Sequence, residues 1–294
     1  MHNINLIGVH HGIADYSIIK SIAPVDIYHT PIDVIDNSNK KIFLQMEPDL
    51  INGCYDYLNL VKDKYDYILC YDPSQVQSDK TIKLICGGSW INKEDTANID
   101  TSLKKFKISN LCGTKRMTFA HNLRILLYNN QLQLNDYPIV FFRTSLEGHG
   151  SGGYVLPDIN NNPIISVKHS AKIDLFRDFQ FSIIIENSRE KGYFTEKIID
   201  CLITKTIPIY YGCINISDFF CTDGWIIIET DDIVNELSIK LKVLDTAYYE
   251  RYKDVIEHNY QKAMNYNCVL TSSFKALNTI PYINVDISKC NYTY

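Results

Sequence analysis

No stretch of the 294-residue chain approaches the roughly 20 consecutive apolar residues that a membrane-spanning helix needs. The opening, MHNINLIGVHHGIADYS, lacks a basic n-region and holds only a short apolar run, so no secretory signal is expected. Positive charge is also scarce. The 29 Lys and Arg against 34 Asp and Glu give a net charge of -5 and a pI near 5.9, which excludes broad attraction to nucleic acid or anionic membrane. Any anion bound here must be held by a few placed cations. The nine cysteines form no CxxC pair and no metal-ligand spacing, and their odd number without an export signal favours reduced thiols. No D-x-D occurs, and Asp231-Asp232 and Asp200 lack the context of a metal-binding pair, so no metal and no cofactor is expected. The sequons at Asn215 and Asn291 mean little without export, and the expected location is cytoplasmic.

What is present has the rhythm of an α/β protein. Apolar runs of four to seven residues, "INLIGV" (4–9), "VDIYHT" (25–30), "KIFLQM" (41–46), "YDYILCY" (65–71) and "IKLICGG" (82–88), read as buried parallel strands. A second series runs "FKISN" (106–110), "PIVFFRT" (138–144), "FSIIIE" (181–186), "TIPIYYG" (206–212) and "GWIIIE" (224–229), with helical patterns between. Residues 145–163, rich in Gly, Asn and Pro, read as an irregular excursion, and 233–265 as helical. The expected architecture is two α/β domains facing a cleft, 1–105 and 106–294, the final helical segment packing back on the first.

Ligands of open parallel sheets bind beyond the carboxyl ends of strands. Two strand-to-helix junctions there share a peculiarity. After "FKISN" come Gly113, then Thr114 as a helix cap, with Lys115 and Arg116 in the first turn. After "FSIIIENS" come Gly192, then Thr195 as cap, with Glu196 and Lys197 behind it. A cation is on the disfavoured side of a helix N-terminus, at a cost of only about 0.3–1 kcal/mol. Lys115, Arg116 and Lys197 are therefore either solvated or turned toward a diphosphate, which backbone N–H groups and the helix dipole already favour. Glu196 either complements the dipole or accepts from a ribose hydroxyl. His10 and His11 follow the first strand, and His149 sits in the glycine-rich stretch. These are open to a cleft role or a bland one.

The run "FSIIIENSREKGYFTEKIIDCLITKTIPIYYG" closely resembles the signature of the family ten glycosyltransferases, the α1,3/α1,4-fucosyltransferases. Glu186, Asn187, Ser188, Tyr193, Thr195, Glu196, Lys197, Pro208, Tyr210 and Gly212 match it, while Ile185 and Phe194 are apolar departures. "ISNLCGTKRMTFAHNL" is similar to the family's first donor-side helix and selects Arg116 over Lys115. "IFLQMEPDLINGCYDYL" resembles the segment that supplies its catalytic carboxylate, with Glu47 in that place.

The resemblance implies a GT-B fold, two Rossmann-like domains with the donor in the second, and transfer of fucose from GDP-β-L-fucose to a glycan hydroxyl with inversion, α1,3-type. Glu47 would be the base; Arg116, Asn187, Tyr193, Glu196 and Lys197 would bind the donor without a metal. The expected partners are a nucleotide-sugar donor and a glycan acceptor, not nucleic acid. Three rivals remain: a GT-B transferase with another nucleotide sugar, a nucleotide-sugar-binding protein without turnover, and a structural α/β scaffold that binds no GDP.

Overall fold

A computed structural model describes residues 2, 4–8, 19–85, 87–91, 93–97, 99–144, 155–165, 172–266 and 275–286. The first series of runs forms β1 (Ile4–Ile7), β3 (Val25–Tyr28), β4 (Lys40–Leu44), β5 (Tyr67–Cys70) and β6 (Thr81–Lys83). They make one sheet in the order β1-β3-β4-β5-β6, all parallel. Helices α1 (Asp49–Asn52) and α2 (Cys54–Val61) follow β4, and Cys54 and Leu58 of α2 pack on Tyr28, Phe43, Ile68 and Cys70.

The second series forms β7 (Lys105–Cys112), β8 (Ile139–Thr144), β10 (Phe179–Ile185), β11 (Ile207–Tyr211) and β12 (Ile226–Ile227), joined by a short β9 (Ile164–Ile165). Their order is β12-β11-β10-β7-β8-β9, again all parallel. All ten strands expected from the apolar runs are present. β10 shows why they are legible: its residues Phe181 to Ile185 are buried on both faces, and a strand covered twice must be apolar without alternation. Phe181, Ile183 and Ile185 face α4 (Phe119–Asn129) and α6 (Ile233–Lys240), whereas Ile184 faces α5 (Glu196–Ile203). The helical pattern after α6 resolves into α7 (Tyr248–Arg251) and α8 (Lys253–Ala263), and α8 lies along α5.

Chain order reverses between β7 and β10. From β7 the sheet grows toward β9, from β10 toward β12, so the loops leaving these two adjacent strands diverge and leave a crevice. Three contacts bring that crevice against the first sheet. Tyr71, just past β5, meets Tyr193 edge-on at 5.2 Å; Gly87, past β6, forms a parallel bridge with Thr195; and Asp49, past β4, donates its N–H to Glu190. The carboxyl ends of both sheets thus point at one region.

Three strands, β9 and the pair that follows, had no signal in the apolar runs. β2 (Ile19–Ser21) pairs antiparallel with β13 (Ile283–Val285), and Leu277, Ile280 and Ile283 pack on Ile27, Ile42, Leu44 and Leu69. The chain therefore returns from the second sheet to cover a face of the first.

One expectation needs correcting. α4 begins at Phe119 and not at Thr114, so Lys115 and Arg116 lie in the loop ahead of it. The reason is a reciprocal cap. The Thr118 hydroxyl accepts the His121 N–H at 3.2 Å, and the Thr118 N–H donates to His121 Nδ1 at 3.1 Å. Two otherwise orphaned donors, the N–H groups of Thr118 and His121, are satisfied there, an outcome with no counterpart at Thr114.

Candidate functional site

The crevice is built around a buried carboxylate. Glu186 follows β10 and is fully buried; it accepts from the Thr195 N–H at 3.0 Å and the Thr195 hydroxyl at 2.7 Å. This ties the end of the strand to the cap of α5, where Thr195 also accepts from the Lys197 N–H. Gly212 makes room for it, since a Cβ there would sit 2.6 Å from both Glu186 Cγ and Tyr210 Oη. The glycine of "PIYYG" is a packing requirement.

The Lys197 ammonium answers the puzzle of a cation at a helix N-terminus. It lies 3.1 Å from Glu196 Oε1, 3.1 Å from Thr195 Oγ1 and 3.7 Å from Glu186 Oε2. Burial works against its charge, but the Glu196 and Glu186 carboxylates outweigh burial and hold its pKa above the ordinary lysine value. Burial pushes Glu196 upward in turn, and Lys197, aided by Lys172, overrides that and brings it down to about 2. The lysine side chain keeps 23% of its surface exposed, so a visiting anion can reach it.

A second cation, Arg124, holds the end of β10 at the same switch point. Arg124, on α4, donates from Nε and Nη2 to the Ile185 carbonyl at 2.9 and 2.5 Å, and from Nη2 to Asn187 Oδ1 at 2.9 Å. Burial pulls its pKa down while Glu186 raises it, and a guanidinium stays protonated at neutral pH regardless. Its charge is felt at Lys197, which places both in one electrostatic neighbourhood. A sequence signal for Arg124 exists: it stands four residues after Ala120 and four before Tyr128, a base inside an otherwise buried helical stripe. His121, one turn earlier, is buried, and burial together with Arg124 and Lys197 lowers its pKa to about 3. It is neutral, and the N–H donated to Nδ1 puts its own proton on Nε2.

The other expected residues lie as follows. Asn187 is half-buried with its carbonyl held by Arg124, leaving the amide N–H groups as its outward donors. Arg116 is exposed, its Nε 3.4 Å from Asn122 Oδ1. Tyr193 is buried, its ring packed on Tyr71 in the apolar cluster of the first sheet. In this arrangement it is a wall between the two sheets. Glu47 is half-buried in the bend after β4, two residues before α1. Trp225 packs on Phe220 and Tyr210. His10, His11, His149 and residues 145–154 of the glycine-rich stretch lie outside the described residues. Among the described residues no three His, Cys, Asp or Glu gather as a metal site, and no helix is long and apolar enough to cross a membrane.

Residues 157–279 match the profile of Glycosyltransferase family 10 (fucosyltransferase) C-term. The chain is 30% identical over 115 residues, 39% of its length, to an alpha-(1,3)-fucosyltransferase, FucT, of Helicobacter pylori. It is 28% identical over 107 residues, 36% of its length, to a fucosyltransferase-like protein of Arabidopsis thaliana. The matches span only 23% and 19% of those two proteins. In structure the chain is similar to TarM, with a TM-score of 0.55 at 14% identity, over 87% of this chain and 54% of that one. The shared arrangement is GT-B, two parallel α/β sheets facing across a cleft. The matched residues, 157–279, include β10 and α5 on one side of the switch-point crevice, and over that segment the chain is similar to the fucosyltransferases of glycosyltransferase family 10.

Proposed function

We propose that the protein transfers L-fucose from GDP-β-L-fucose to a hydroxyl of a glycan acceptor, by a single inverting displacement that forms an α1,3-type linkage. The observation that carries this reading is the pairing of Lys197 and Arg124 at the crevice where the sheet reverses, beside the N-terminus of α5. A departing nucleoside diphosphate gains negative charge on its β-phosphate as the bond to the sugar breaks. Two cations and an oriented helix end, held by hydrogen bonds before any substrate arrives, stabilise that charge without reorganising. Losing one such preorganised group costs on the order of 10²–10³ in turnover.

The remaining residues take complementary parts in this proposal. Asn187, with its carbonyl fixed by Arg124, turns N–H donors toward the phosphates or sugar. Glu196 accepts from a ribose hydroxyl, and Arg116 closes on the diphosphate from the loop before α4. Tyr193 contributes as the wall of the crevice. Glu47 takes the proton of the attacking hydroxyl as the new bond forms, while the old bonding pair leaves with GDP. The sheet of residues 1–105 is assigned to the acceptor and residues 106–294 to the donor. Positive charge is supplied by side chains, so chelation of divalent metal is expected to leave the rate unchanged.

The test is incubation of the purified protein with GDP-fucose and a glycan array, following GDP release and labelled product. Fucosylated product is expected. Turnover with GDP-mannose but not GDP-fucose would replace the fucose reading, and nucleotide binding without turnover would reduce the protein to a binding module. Glu47→Gln is expected to abolish transfer while GDP affinity, measured by calorimetry, stays within about twofold, because a base that does not touch the nucleotide contributes only in the transition state.

A further inference from the structure

We propose that Glu190 is a positioning residue that sets Glu47 against the donor crevice, so that the loop carrying the nucleotide-binding side chains also holds the segment carrying the base. The inference rests on the transferase reading above.

The segment 46–50 is a poor candidate for holding itself. It leaves β4 through Met46 and Glu47, turns at Pro48, and enters α1, a single turn whose cap position is the proline and which has no side-chain cap of its own. The first N–H groups of such a turn need acceptors from elsewhere. Glu190 supplies them from a point 141 residues away in sequence: Oε2 accepts the Asp49 N–H at 3.2 Å and Oε1 the Leu50 N–H at 3.4 Å. The carboxylate is itself steadied by the Ser188 hydroxyl, which donates to Oε1.

A second grip holds the other end of the same segment. The Tyr71 hydroxyl donates to the Met46 carbonyl at 2.6 Å, and the Tyr71 ring is packed edge-on by Tyr193. Between the two grips lies Gly192, with φ +76°, where a Cβ would come 2.6 Å from the Tyr71 carbonyl oxygen. Residues 190–193 thus embrace Met46 to Leu50 from both sides, with Glu47 between them. The same four residues run directly into Thr195 and the Lys197 web. A rigid link of this kind fixes the distance between the proton acceptor and the diphosphate grip, and a shift of the order of 1 Å in such a distance can cost about 10²-fold in rate.

The experiment compares Glu190→Ala and Glu190→Gln with the parent chain, the glutamine retaining one acceptor oxygen. Three quantities are measured: transfer to a glycan, GDP-fucose hydrolysis by water, and GDP affinity. The ratio of transfer to hydrolysis does not depend on how much of each preparation is folded. In Glu190→Ala that ratio is expected to fall by about 10–100-fold with GDP affinity within about twofold, and Glu190→Gln to recover most of the loss. Equal ratios in all three proteins, or loss of GDP affinity in step with transfer, would overturn the proposal. Amide hydrogen exchange at Asp49 and Leu50 separates this outcome from failure of the transferase reading itself. Should the parent chain transfer no sugar, faster exchange at those two amides in Glu190→Ala still supports the link between the loops, and unchanged exchange overturns it.

Discussion

At Lys197 a helix N-terminus and two carboxylates compete over one ammonium. The dipole disfavours it by at most about 1 kcal/mol, whereas Glu196 at 3.1 Å and buried Glu186 at 3.7 Å favour it by more, as the raised pKa records. The residue is thus neither solvated nor idle before a ligand arrives. A phosphate would exchange with Glu196 for the exposed side of the ammonium. Lys197→Ala and Arg124→Ala are each expected to weaken GDP binding by about 10–100-fold, the worth of a charge-assisted hydrogen bond. Arg116→Ala is expected to weaken it too. Calorimetric titration with GDP reads all three; unchanged affinity in Lys197→Ala and Arg124→Ala would remove the cation pair from the site. Lys197 was legible because Thr195 precedes it as an unambiguous cap. Arg124 carried only the weaker mark of a base in a buried helical stripe, because its partners, Ile185 and Asn187, are 61 and 63 residues away and nothing local announces them.

At the scale of elements, the strands were readable and the helix starts only partly so. A parallel strand such as β10 is covered on both faces, and its unbroken apolar run is a local fact. The start of α4 depended on a choice between Thr114 and Thr118, decided by His121 in the place where Glu or Gln usually completes the box. A similar device stabilises the loop between β12 and α6. The Glu236 carboxylate accepts from the N–H groups of Glu229 and Thr230 at 2.9 and 2.8 Å and from the Thr230 hydroxyl at 2.7 Å, with Lys240 Nζ at 2.7 Å. Burial raises its pKa, but the Lys240 bond and those donors outweigh this and bring it down to about 2. The folded pKa lies below the unfolded one, so the contribution is fully present above about pH 4.5 and is lost as pH falls from there through 2. It amounts to something on the order of 3 kcal/mol. Glu236→Gln is therefore expected to lower stability at pH 7 and to flatten its decline between pH 5 and about 3. Urea denaturation at a series of pH values measures this, and parallel curves for the two proteins would refute it.

At the scale of the whole molecule, the two sheets meet by their carboxyl ends, and the chain crosses back to close the assembly. Leu277, fully buried, lies with Ile280 and Ile283 against the first sheet, and β13 pairs with β2. Leu277→Ala leaves a cavity in that layer and is expected to cost about 2–5 kcal/mol, read as a lowered midpoint of denaturant unfolding. A change below about 0.5 kcal/mol, the scale of a surface substitution, would mean that the returning segment adds nothing to the first sheet. The tail read from sequence as a mixed stretch because its short strand gains its identity only from a partner some 260 residues earlier.

The sequence by itself determined the ten parallel strands, the cap at Thr195 and the family signature, since each is written in neighbouring residues by period, propensity or capping chemistry. Tertiary structure alone decided that Arg124 holds Ile185 and Asn187, that Tyr193 serves as a wall, that Glu190 caps a distant turn and that β13 returns to β2. The physical reason is the same each time. These are pairings between groups 61 to 266 residues apart, and their energy exists only once the intervening chain has folded to bring them within hydrogen-bond or van der Waals reach.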